Sequence, residues 1–358
     1  MHVVLMAGGV GSRFWPRSRQ KNPKQLLNLV GDKSMIRQTY ERIKDLTSDD
    51  KILVITNQDL KNPIGEHLPE LPEKNIIAEP FGKNTAPCIG LAAAIVRKRA
   101  SMDEPMVVLP ADHLIKETDT FQQIIKTAAL HARQSDHLVT IGITPTYPET
   151  GYGYIQRGEP LTVIDNRTIY KVKTFAEKPN LETAKLFLQS GDFLWNSGMF
   201  IWKTSTILRE FEEHQPEMAE GFERIYQAVD TPSMDEVILD VYMRVKSISI
   251  DYAIMEQARH VSIIEADFTW SDLGSWEAAY AISPKDDRAN AITAQKSVVI
   301  DSQNNLIYAP GKLVALVDVE NLAVVETDDA ILICRKDSSQ RVKEVVDHLK
   351  KKKLNEFL

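Results

Sequence analysis

Short apolar runs alternate with segments of helical period through the first 143 residues, and few architectures accept that alternation. Runs of strand length fall at 3–6, 51–55, 75–78, 106–109 and 138–143. Between them, 35–46, 86–99 and 120–133 carry apolar side chains at helical spacing, as Phe121, Ile124, Ile125 and Ala128 do. Strand, helix and strand in repetition predicts an α/β fold, a mixed and mostly parallel sheet with helices on both faces. Ligands of such sheets bind at the carboxyl ends of the strands, where the glycines after the first run and "VVLPADH" at 107–113 both fall.

From about residue 290 the texture changes. "SVVID", "NLIYA", "LVALVDV", "LAVVET" and "AILICR" read as short strands between turns, which predicts a small β unit at 286–358 after a larger segment at 1–285. A terminal amphipathic helix is expected from about Ser339. Val342, Val345, Val346 and Leu349 share one face, and Lys350 to Lys353 sit favourably at its negative end.

The 358 residues, 43% hydrophobic and 26% charged, suit about two globular domains of roughly 100–200 residues. A net charge of −7 argues against general affinity for nucleic acid or anionic membranes, so neither is an expected partner. Cys88 and Cys334 are too few for a disulfide framework or a structural zinc site. No apolar run approaches the roughly 18 residues of a membrane span, and a first strand starting at His2 leaves no room for a leader. A cytoplasmic setting is the expectation.

The stretch "VVLMAGGVGSRFWPRSRQKNPKQLL" at 3–27 carries the most chemistry. Gly8, Gly9 and Gly11 let backbone N–H groups approach a ligand and form an anion-binding concavity. The pattern is neither a Walker loop, which needs Gly-Lys-Ser/Thr, nor the dinucleotide fingerprint, whose third glycine is replaced by Phe14. A glycine turn alone reads equally well as a tight corner. Arg13 and Lys24 turn the reading toward phosphate, because a guanidinium grips phosphate oxygens in pairs and a lysine adds a compact charge for a second phosphate. Both are expected on a solvent-reaching loop stiffened by Pro16 and Pro23. Arg17, Arg19 and Lys21 are open to reading as solvated charges, Lys21 most of all.

Within this stretch, "AGGVGSRFWPRSRQKNPKQ" resembles the signature of sugar-nucleotide pyrophosphorylases, and specifically of mannose-1-phosphate guanylyltransferases. Further blocks match in the family's order: "AEPFGKNTAP" at 78–87, "VLPADH" at 108–113, "GYGYI" at 151–155, "FAEKP" at 175–179, "WNSGMFIW" at 195–202, "SIDYAIME" at 249–256 and "WSDLGSW" at 270–276. The resemblance implies a Rossmann-like, GT-A-like nucleotidyltransferase fold whose C-terminal unit is β-helix-like. It also implies transfer of GMP from GTP to mannose 1-phosphate, giving GDP-mannose and pyrophosphate with Mg2+. Some family members continue into a cupin-type isomerase domain, and a chain of this length is expected to resemble the single-activity form. A homodimer is an expectation only.

By the same resemblance Arg13, Lys24 and Lys178 are catalytic. Ala7, Gly8, Gly9, Gly11, Ser12, Glu79, Asn84, Thr85 and Asp112 would bind the nucleotide. Tyr152, Gly153, Glu177, Asn196 and Asp251 would hold the sugar, and Asp112 with Asp272 the metal. Read as residues alone, each keeps a structural alternative. Asp272 and Asp251 suit helix caps, as do Asn84 and Thr85. Asp112 and Asn196 suit turns, Glu177 an exposed strand end, Tyr152 packing and Gly153 a bulge. His113 reads as structural, and Trp270 and Trp276 as wall and core. Two further readings stay open: a uridylyl- or thymidylyltransferase on glucose 1-phosphate, and a non-catalytic sensor of sugar nucleotides.

Overall fold

The computed structural model describes residues 1–100 and 103–358. The chain packs as two compact units that interleave in sequence. One comprises Met1–Gly8, Tyr40–Ala111 and Ile115–Trp270, the other Gly9–Thr39, Asp112–Leu114 and Ser271–Leu358.

The first unit is built on a nine-stranded mixed sheet. Its strands run in the order Ile76–Glu79, Ile52–Asn57, His2–Met6, Pro105–Pro110, Phe193–Lys203, Leu138–Ile143, Val261–Ala266, Arg167–Glu177 and Gly153–Ile164. The first four pair in parallel, as do Leu138–Ile143 and Val261–Ala266. Phe193–Lys203 enters antiparallel to both its neighbours. The parallel strands read as unbroken apolar runs because both faces are covered, and Val3, Val4 and Leu5 lose all exposure. The helix Thr85–Arg99 is buried from Ala86 to Val96 and has no polar face, as expected of an element inside the core. The five strands read from the sequence are all present. The helices expected at 35–46, 86–99 and 120–133 are Met35–Ile43, Thr85–Arg99 and Thr118–Gln134.

Elements that no periodicity announced lie between 144 and 285. The hairpin Gly153–Ile164 and Arg167–Glu177 turns through Asp165 and Asn166, both at positive φ, which these side chains tolerate. Four helices, Leu181–Ser190, Thr204–His214, Pro216–Ala228 and Met234–Arg244, follow or flank the strand Phe193–Lys203.

In the second unit Ala291–Ile300, Leu306–Val317 and Leu322–Glu326 pair in parallel, and Ile331–Arg335 closes the sheet antiparallel. Parallel pairing across such short connections makes the chain coil on itself. Buried asparagines hold the coil. Asn305 donates from Nδ2 to Asn290 Oδ1 and the Val319 carbonyl, both at 3.0 Å, and accepts from the Leu322 amide at 2.9 Å. The terminal α-helix starts at Val342, after a 3-10 segment Lys336–Arg341, so it begins three residues later than expected. Val342 and Val346 are buried while Val345 is 36% exposed, a narrower face than the spacing predicts. Val342 and Val346 share a core with Phe14, Leu332 and Trp276.

Candidate active site

Gly11 lies in the left-handed region and precedes a tight turn. Its φ of +66° is open to glycine, and a β-carbon there would stand 2.4 Å from Lys24 Cβ. A 3-10 turn, Ser12–Phe14, follows, anchored by Phe14 against Trp276 with ring centroids 4.9 Å apart. This leaves Arg13 exposed while its neighbour Phe14 is core. Lys24 departs from expectation: it is not solvent-reaching but 5% exposed. Its ammonium donates to Asp112 Oδ2 at 2.8 Å and to the Asp272 carbonyl. The reason is packing, since the lysine stem fills the space that Gly11 leaves empty.

Arg13, Lys24, Asp112 and Asp272 therefore line one cleft of roughly 320 Å3, with Gly11, Ser12, His113 and Gly274. Lys343 of the terminal helix lines it too, and its place on an otherwise solvated helix face gives no signal of this in the sequence. Partial withdrawal from water works against ionisation of Asp112, but the Lys24 ammonium and then His113 outweigh it and hold its carboxyl below the ordinary range. Asp272 is not a helix cap. Ser275 caps the helix Trp276–Ile282, accepting from the Ala278 amide, while Asp272 Oδ1 accepts from the Gly274 amide at 2.9 Å in a local turn. Arg17 and Arg19 are not free charges. Arg17 donates to Asn28 Oδ1 at 2.6 Å and lies over the Tyr308 ring, and Arg19 pairs with Asp329 at 2.7 Å.

A second group of polar residues gathers in the first unit. Glu177 abuts Gly153, where a β-carbon would come within 2.4 Å of Oε2, so this glycine gives the carboxylate its room. Lys178, at φ +47°, directs its ammonium to Glu177 Oε1 at 3.1 Å. Asn196 donates from Nδ2 to Asp251 Oδ1 at 2.7 Å and accepts from the Gly198 amide at 3.1 Å. Asp251 opens the turn Asp251–Met255 without capping it by side chain. Burial raises the Asp251 carboxyl and the charge of Glu177 adds to this, against the Asn196 hydrogen bond. Glu256 is raised as well, by burial and then by Asp251 and Glu177. Tyr152 stands edge-on to Trp195 and to Trp270, with 5.3 Å between ring centroids in each case. Three carboxylates, an amide and an ammonium around an aromatic wall offer the acceptors and donors that hydroxyl groups require. Trp276, the other indole of "WSDLGSW", is core.

Glu79 ends the strand Ile76–Glu79 and is 5% exposed. Tyr242 donates its hydroxyl to Oε1 at 2.8 Å, and Oε2 lies beside Gly8. Burial pushes this carboxyl up to about 7 despite the tyrosine hydrogen bond. Ala7 holds the last rung of its strand, with its amide on the Ile55 carbonyl and its own carbonyl accepting from Thr56. Asn84, at φ +70°, is the N-cap of Thr85–Arg99 and accepts from the Thr85 amide. The Thr85 hydroxyl accepts from the Ile250 amide at 2.8 Å. Both residues thus carry a structural load at the helix start.

Residues 2–289 match the nucleotidyl transferase family, and residues 295–349 match the MannoseP isomerase/GMP-like beta-helix domain. The mannose-1-phosphate guanylyltransferase of Klebsiella pneumoniae is 41% identical over 357 residues, 99% of this chain and 75% of its own length. One from Escherichia coli is 41% identical over 358 residues with the same coverage. Among solved structures, mannose-1-phosphate geranyltransferase from Thermus thermophilus superposes with a TM-score of 0.88 at 30% identity, covering 98% of this chain and 99% of that one. Mannose-6-phosphate isomerase from Helicobacter pylori superposes with a TM-score of 0.60 at 27% identity, over 76% of this chain and 100% of that one. With family match, relatives and fold in agreement, the chain belongs to the mannose-1-phosphate guanylyltransferase family of nucleotidyl transferases.

Proposed function

We propose that this chain transfers GMP from GTP to mannose 1-phosphate, giving GDP-mannose and pyrophosphate by in-line attack of the sugar phosphate on the α-phosphorus. The observation that carries the reading is one cleft lined by the glycine turn, Arg13, Lys24, Asp112 and Asp272, in a chain 41% identical to guanylyltransferases over nearly its whole length.

The attacking phosphate oxygen is anionic near neutral pH, so no general base is needed. The site has to align two mutually repelling anions and stabilise charge on the departing pyrophosphate. Arg13, Ser12 and the amides of Gly8, Gly9 and Gly11 are suited to the leaving phosphates, and Lys24 to the α-phosphate. Lys178 suits the incoming sugar phosphate. Tyr152, Gly153, Glu177, Asn196 and Asp251 would hold the mannose hydroxyls. Glu79 would accept from the N–H groups of guanine, with Asn84 and Thr85 shaping the same segment. Asp112 and Asp272 place hard oxygen donors on one cleft, the donor type that suits Mg2+, and these two residues would hold it. Bound there, the ion would offset phosphate charge during transfer.

We further propose 1–285 as the catalytic segment and 286–358 as an accessory β unit, a cytoplasmic setting, a homodimer, and GDP-mannose biosynthesis as the role. Among the described residues no helix is long and apolar enough to cross a membrane.

The test is pyrophosphate release from each of the four ribonucleoside triphosphates and dTTP, with a set of sugar 1-phosphates and magnesium. GTP with mannose 1-phosphate should lead the panel. Preference for UTP or dTTP with glucose 1-phosphate would replace this reading with the neighbouring transferase, and tight GDP-mannose binding without turnover would replace it with the sensor.

A further inference from the structure

The Glu79 carboxylate stands beside the glycine turn with one oxygen held and the other uncommitted. It is buried, yet among the described residues only the Tyr242 hydroxyl donates to it, and only to Oε1. A carboxylate oxygen without a protein donor keeps its lone pairs for a ligand's N–H. Oε2 faces Gly8, on the glycine turn itself, and even a β-carbon there would come within 3.3 Å of it.

Tyr242 is well placed to fix this arrangement. It is fully buried on the helix Met234–Arg244, so its ring has no freedom to swing its hydroxyl elsewhere. Phe81 meets the ring edge-on at a centroid distance of 6.2 Å. The segment carrying Glu79 is stitched to the same region, with Lys83 Nζ donating to the Val245 carbonyl at 3.0 Å and the Ile248 amide to the Lys83 carbonyl at 3.2 Å. We propose that Tyr242 is a positioning residue for nucleobase recognition, holding Glu79 through Oε1 so that Oε2 is the oxygen offered to the guanine N–H groups. The inference rests on the reading of Glu79 as the base acceptor.

The groups that face Glu79 are few. Tyr242 comes from its helix, the Cys88 thiol from Thr85–Arg99, and the backbone of Gly8 from the end of the first strand. Burial pushes both the thiol and the tyrosine hydroxyl well above their ordinary values, so neither carries charge near neutral pH. The base contact through Glu79 therefore follows one titration, with the ionised carboxylate the competent form.

The experiment compares the full chain with Tyr242→Phe, Glu79→Gln and the double variant, using GTP, ATP and inosine triphosphate. Tyr242→Phe should raise KM for GTP about tenfold, the effect of losing one hydrogen bond to a charged group. Its kcat and its KM for mannose 1-phosphate should stay within about twofold, because the loss falls on base binding alone. The acid limb of kcat/KM for GTP should move to higher pH, since burial then acts on the carboxyl with nothing opposing it. Glu79→Gln should remove from that limb all but the ionisation of the substrate phosphates, and with it the preference for GTP over ATP, and adding Tyr242→Phe to it should cost nothing more. Inosine triphosphate, without the 2-amino group, should respond less than GTP to either change. An unchanged KM and limb in Tyr242→Phe, beside a Glu79→Gln that loses GTP, would overturn the positioning role and leave the base reading standing. Normal GTP selectivity in Glu79→Gln would overturn both. Phenylalanine keeps the packed ring, and a melting curve checks the fold. Should that variant fail to fold, GTP binding to the native protein and to Glu79→Gln from about pH 5.5 to 8.5 reads the same carboxylate, and identical pH dependence in the two would overturn the proposal.

Discussion

At the scale of single residues, Lys24 and Arg13 share a loop and a positive charge but differ in burial and in partners. Arg13 is exposed on its 3-10 turn, whereas the Lys24 ammonium is locked between Asp112 and the Asp272 carbonyl. Arg13→Ala should lower turnover about a hundred- to a thousandfold, the usual effect of deleting one preorganised donor, with an unchanged melting temperature. Lys24→Ala should lose a similar factor and also about 1–3 kcal/mol of stability, because it strips a half-buried carboxylate of its partner. Steady-state kinetics beside thermal melting separates the two, and equal melting of both variants would refute the distinction. Glu79 gives a pH signature. Its carboxyl sits at about 7 in the folded protein, against an ordinary value near 4.5, so between those values the folded form keeps a proton that the unfolded chain has lost. Stability should therefore fall as pH rises through that window, by about 3 kcal/mol from this group. Denaturant titrations across the window should show Glu79→Gln missing that share of the slope.

At the scale of elements, the turn between Trp270 and Trp276 assigns separate tasks to Asp272 and Ser275. Ser275→Ala should cost about 1 kcal/mol as a lost cap. Asp272→Asn keeps an oxygen for the Gly274 amide, so its melting should match the parent. If Asp112 and Asp272 act as a unit on one ion, the single asparagine variants and the double should be equally impaired in magnesium-dependent turnover. Full activity in Asp272→Asn would refute the shared site. The strands at 3–6, 51–55, 75–78, 106–109 and 138–143 were legible in the sequence because burial on both faces makes their apolar runs continuous. The strand Phe193–Lys203 was not, since Asn196, Ser197 and Gly198 interrupt its pattern at a register shift. The glycine turn and Arg13 were legible as chemistry. The burial of Lys24 was not, because its partners lie 88 and 248 positions away, and the tether from Arg19 to Asp329 spans 310. Local spacing carries no trace of such contacts.

At the scale of the whole molecule, each compact unit is held by its own interior. In the smaller one the asparagine ladder replaces part of an apolar core. Asn305→Ala should cost about 2 kcal/mol or more, because it leaves Asn290 Oδ1, the Leu322 amide and the Val319 carbonyl short of partners. Chemical unfolding monitored by the fluorescence of Trp276, with the other indoles replaced, would check this in the unit concerned. The central claim concerns what the assembled molecule makes. Supplied with α-labelled GTP, mannose 1-phosphate and magnesium, the full chain should release one pyrophosphate for each labelled GDP-mannose formed, and none when mannose 1-phosphate is withheld. Label appearing as free GMP or GDP, or pyrophosphate released without the sugar phosphate, would contradict direct attack of mannose 1-phosphate on the α-phosphorus.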